Sequence, residues 1–168
     1  MKLKSAGDMM KLAKEIERHV NNMLIAQVIY EHKREQVDKI QRRLLAENVY
    51  EYDPKWAAQG CKDCEGRVTD PGLSYLMRDE HAKDYHDKLN AIHLASGFDR
   101  AKDGYCPALC AESVLREAQN LVLDIASEHI GTNFRDTYGE TRKEALELFT
   151  KIVINRPGYV PPKFPKAA

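Results

Sequence analysis

The four cysteines of the chain fall into two close pairs, Cys61–Cys64 in a Cys-Lys-Asp-Cys stretch and Cys106–Cys110 in a Cys-Pro-Ala-Leu-Cys stretch. Thiolates are favoured ligands of Zn²⁺, which takes four donors at tetrahedral corners. A Cys-x-x-Cys turn curls so that both sulfurs reach one ion. Here Gly60 and Gly66 flank it, and glycine tolerates the positive φ angles of a tight knuckle. In the second pair Pro107 suits the first position of a helix, where its missing N–H is no loss. Cys106 then caps that helix and Cys110 follows one turn later on the same side. The helix dipole favours a thiolate there. The spacing predicts one structural zinc site held by Cys61, Cys64, Cys106 and Cys110. The competing readings are unligated thiols, disulfides or a redox pair. No βαβ pattern surrounds the Cys-x-x-Cys, as a thioredoxin-like redox pair would require.

The two pairs have to meet across a helix expected from about Leu73 to Ser96, roughly 36 Å long at ~1.5 Å per residue. The connecting legs reach roughly 26 and 30 Å when extended, so closure is allowed. That helix also carries Glu80, Asp84 and Asp87 on one face, with His81 and His86 close by and His93 further along. Carboxylates so spaced suit Mg²⁺ or Mn²⁺, and a histidine suits general-base work. Lys83 and Lys88 interleave with them, the pattern of a solvated, salt-bridged face. Asp99, Asp103 and His93 are substitute zinc ligands should one cysteine be excluded.

The elements that position these residues are helical. Ser5 followed by Asp8 resembles a capping box. No proline interrupts the chain from there to about Tyr50. Met9, Ile16, Met23, Tyr30, Val37 and Leu44 recur every seven residues, whereas the companion seam, Leu12, His19, Ala26, Lys33, Ile40 and Glu47, is broken by polar residues. A strict seven-residue period favours supercoiling on a partner helix. With one seam broken, packing on helices of the same chain is the preferred reading, and a homo-oligomer through the long helix is the alternative. Pro54 ends this helix, and Trp56 anchors the knuckle. Asp70-Pro71-Gly72 reads as a turn, and Gly97 closes the second helix.

A helix from Pro107 to Ile130 carries a broad apolar stripe of Val114, Leu115, Ala118, Leu121, Val122, Ile125 and Ala126. A last helix from about Glu140 to Ile154 presents Ala145, Leu146, Phe149, Ile152 and Val153. The fold class is therefore all-α: a helical bundle with a long N-terminal helix and a four-cysteine zinc knuckle inserted between helices. Residues 1–154 form a single helical zinc-binding domain, and residues 155–168 a proline-rich tail of extended character.

The chain has 168 residues, with 26 basic and 26 acidic side chains. Neutrality of this kind argues against bulk capture of nucleic acid. No apolar run approaches the ~20 residues of a membrane span. The leading MKLKSAGDMM carries no apolar leader, so a cytoplasmic protein is expected. Phosphate-binding glycine loops, nucleophile elbows and HExxH helices do not occur in the sequence.

Three functions fit. The first is a zinc-stabilised helical protein-interaction module, a non-catalytic regulator or inhibitor that binds another protein through Met9, Met23 and Tyr30 of the long helix or Tyr159 and Phe164 of the tail. The second is a nucleic-acid-associated zinc protein, with phosphate contacts from Lys39, Arg42, Arg43, Lys62 and Arg67. The third is a metal-dependent hydrolase on the Glu80/Asp84/Asp87 face.

Overall fold

The computed structural model describes residues 5–51, 61–62, 68–69, 77–104, 106–134 and 137–165, with 61–62 and 68–69 described through their backbone. These residues are predominantly helical. Helix α1 spans Ala6–Glu47, α2 Asp79–Ala95, α3 Arg100–Asp103, α4 Pro107–Ile130 and α5 Gly139–Ile154. Strands β1 (Cys61–Lys62) and β2 (Val68–Thr69) pair antiparallel, Cys61 opposite Thr69 and Lys62 opposite Val68. Pro54, Trp56, Cys64, Arg67 and the turn expected at 70–72 lie outside the described residues; the second helix, expected from about Leu73, starts at Asp79, since Met77 and Arg78 are not helical.

The helix ends follow their local chemistry. Ser5 Oγ accepts the Asp8 N–H at 3.2 Å and donates to the Asp8 carboxylate at 2.8 Å, so one orphan donor at the start of α1 is capped. Gly97 has φ +85°, and its N–H reaches the Leu94 carbonyl while that of Phe98 reaches the His93 carbonyl. This pair of bonds is a Schellman motif, which requires the left-handed residue that glycine supplies.

The chain divides into two compact units, Met1–Arg34 with Ala108–Ala168, and Glu35–Pro107. In the first, α1 contributes Leu12, Ile16, Val20, Met23 and Ala26 to a core shared with α4 and α5. From α4 come Leu115, Val122, Leu123 and Ala126; from α5, Ala145, Phe149 and Val153. Phe134 closes this core edge-on to Phe149, ring centroids 5.4 Å apart. The start of the tail lies on the same unit. Arg156 pairs with Glu17, and the Tyr159 hydroxyl donates to Asn21 Oδ1 at 2.8 Å.

In the second unit the later part of α1 meets α2 through Leu44, Met77 and Tyr85, with Ile40, Tyr50 and Leu89 packed around them. Glu51 ties the segments together. Its carbonyl accepts the Arg78 N–H, its N–H donates to His81 Nδ1, and its carboxylate pairs with the Arg78 guanidinium at 2.9 Å.

The long helix thus packs on helices of its own chain. The first-seam residues Ile16, Met23, Val37 and Leu44 are buried, and Leu12, Ala13, Val20 and Ala26 widen the seam. On α4 the covered strip is narrower than the apolar stripe: Val114 is 59% exposed and Leu121 44% exposed, while Leu123 is fully buried.

Candidate functional site

The zinc ligands of the sequence reading are described in part. β1 starts at Cys61, described through its backbone alone, and pairs with β2; Cys64, which lies between the two strands in sequence, is outside the described residues. Cys106 immediately precedes α4, and Cys110 lies in its first turn; both are half-buried. Among the described residues no three His, Cys, Asp or Glu side chains converge as metal ligands would.

The carboxylate face of α2 is engaged by lysines. Lys83 bonds Asp87 at 2.6 Å, and Lys88 bonds Asp84 at 2.7 Å. The Lys88 hydrogen bond holds the Asp84 carboxyl below its ordinary value. Lys88 also donates to Asn48 Oδ1 and lies 5.9 Å from the Tyr50 ring centre. Glu80 stays exposed. These are the i,i+4 pairs that stabilise a solvated helix face.

His93 is 4% exposed, and its Nε2 meets no hydrogen-bond partner among the described residues. Its ring stands edge-on to Phe98 at 6.0 Å, the side-chain contact that accompanies the Schellman motif. Burial, aided by the Arg100 charge, pushes its pKa down. A histidine with a depressed folded-state pKa keeps its full contribution to stability above the unfolded value of about 6.5, and loses it as pH falls. The stability difference between the wild-type chain and His93→Phe is therefore expected to shift in favour of the variant between pH 7.5 and 5.5. Urea midpoints across that range measure it. A difference independent of pH would clear His93 of this role.

Of the residues named for phosphate contact, the Lys62 side chain and Arg67 lie outside the described residues. Lys39 pairs with Glu35 and Arg43 with Glu47, while Arg42 is exposed. Of the residues named for partner binding, Met23 is buried, Met9 and Tyr30 are half-buried, and Phe164 is 47% exposed.

An open groove of about 650 Å³ runs along α5 in the first unit. Met23, Leu24 and Gln27 of α1 line one side, and Gln119 of α4 adds to it. The α5 wall starts at Gly139 and ends at Ile154, recurring at steps of three and four. Leu24 and Leu146 are half-buried in it, and Ile154 is 43% exposed. Arg142, Lys143 and Lys151 stand along it with a single acid, Glu147.

No family model, curated protein or solved structure matches the chain.

The chemistry of the groove is therefore read from its residues alone. Arg142 donates to the neutral Asn120 Oδ1 at 2.8 Å. Lys143 and Lys151 reach Glu140 and Glu147 at 3.6 and 3.9 Å, all on the exposed surface. Apolar floor and cationic edges suit non-covalent recognition. A second apolar patch joins Ile25 and Ile29 of α1 to Val114, Ala118 and Leu121 of α4, and carries few charges. Sequence reasoning assigned Leu146 to packing and passed over the groove. The available signal was a second face on α5, where Leu146 and Ile154 alternate with Arg142, Lys143 and Lys151. Among the described residues no helix is long and apolar enough to cross a membrane.

Proposed function

We propose that this chain is a non-catalytic, zinc-stabilised helical module that acts by binding another protein, as a regulator or inhibitor. The observation that carries the reading is the groove along α5. It is open, it runs the length of a helix, and it leaves Leu24, Leu146 and Ile154 in reach of a partner. Apolar residues framed by charge in a concave strip are the usual footing for helix-in-groove recognition. Support for the zinc comes from the antiparallel pairing of Cys61–Lys62 with Val68–Thr69 on either side of Cys64 in sequence, and from Pro107 opening a helix between Cys106 and Cys110.

A photo-crosslinking residue at Thr150, inside the groove, tests the reading against the same residue at exposed Thr141, which does not line it. The expected result is one defined protein adduct from position 150, none from 141, and loss of the adduct on adding Leu146→Lys. Equal labelling from both positions, or an adduct indifferent to Leu146, removes the groove as the binding surface.

A further inference from the structure

We propose that the partner presents an acidic amphipathic helix to the α5 groove. This rests on the interaction reading above and specifies the partner's chemistry. Two observations carry it.

The first is shape. The α5 wall runs from Gly139 to Ile154, about 22 Å at ~1.5 Å per residue. A compact small molecule would contact one or two turns of such a wall. A helix of about fifteen residues laid alongside would contact all of it, filling the hollow between α1 and α5 in the manner of a fourth bundle helix. Leu24, Leu146 and Ile154 would receive its apolar side, with anchors at spacings of three and four residues.

The second is charge. The chain as a whole is neutral, yet the groove lining gathers Arg142, Lys143 and Lys151 with Glu147, and Glu140 is the surface partner of Lys143. Arg142 is half-buried, and it donates to the neutral Asn120 side-chain amide. Lys143 and Lys151 make long surface pairs, the weakest class of ion pair and easily exchanged for a partner's carboxylates. A helix with glutamates flanking its apolar stripe meets cations along its length, while a basic helix meets like charge.

The probe is a fluorescein-labelled synthetic fifteen-residue peptide with leucines on one helical face and glutamates elsewhere. Its counterpart has every glutamate replaced by lysine. Fluorescence anisotropy with the full chain is expected to show the glutamate peptide binding at least about tenfold more tightly, a preference that shrinks as salt rises. The double variant Lys143→Glu/Lys151→Glu alters two exposed side chains and is checked for unchanged helicity and thermal midpoint. It is expected to reverse the order of the two peptides. Equal binding of both peptides, no binding of either, or an order unchanged in the double variant overturns the acidic-helix proposal. If the Thr150 adduct is nevertheless obtained, the interaction reading stands and only the partner's chemistry is wrong. If that adduct is also missing, the interaction reading falls with it.

Discussion

Phe149→Ala is expected to lower the free energy of unfolding by about 3–5 kcal/mol, the range for removing a buried phenylalanine. Phe149 is fully buried and is among the largest of the fully buried side chains. It sits in the core where α1, α4 and α5 meet, edge-on to Phe134. Truncation removes that ring contact and most of the side chain's apolar burial. It also leaves a cavity that the surrounding side chains of this core fill only in part. Domains of this size are stable by about 5–15 kcal/mol in total, so the loss is a large share. Urea denaturation followed by circular dichroism measures it. A loss under about 1 kcal/mol would mean that Phe149 is not central to this core. Ile152→Ala serves as the comparison, since Ile152 is half-buried, and a smaller loss is expected there.

The second large effect follows from the proposed zinc. Structural zinc in small sites contributes about 10–16 kcal/mol of apparent binding energy, which is folding energy for the segment it closes. Native mass spectrometry is expected to find one zinc per chain, lost on treatment with a strong chelator. Amide protection should then collapse across α2, whose described core is the small cluster around Leu44, Met77 and Tyr85. Protection should persist in α4 and α5 around Val122 and Phe149, which have a larger core of their own. Cys64→Ser should reproduce the chelated state without a chelator. A chain that carries no metal, or that loses it with protection of α2 unchanged, would sink the zinc reading.

Local chemistry decided the helices. Pro107 and Gly131 bound α4, Ser5 caps α1, and Gly97 ends α2 with the bonds its left-handed φ allows. Each signal acts within about five residues, so the linear sequence contains all of it. The seven-residue seam from Met9 to Leu44 was legible for the same reason: Ile16, Met23, Val37 and Leu44 are buried and Met9 and Tyr30 half-buried, as that period favours whatever the partner helix. The interleaving of Lys83 and Lys88 with Asp84 and Asp87 likewise foretold the paired face of α2.

Tertiary packing decided which apolar residues stay uncovered. Val114 and Leu121 belong to the same stripe as Leu115 and Val122, and the placement of α1 and α5 against α4 separates the exposed from the buried. His93 looked like a candidate ligand, and its burial against Phe98 depends on how the end of α2 turns back. The groove is the clearest case. Met23, Gln119 and Leu146 are far apart in sequence and line one hollow only because three helices pack together. Periodicity identifies which face of a helix is apolar. How much of that face a neighbour covers depends on crossing angle and side-chain volume across separate helices, and no local pattern carries that information.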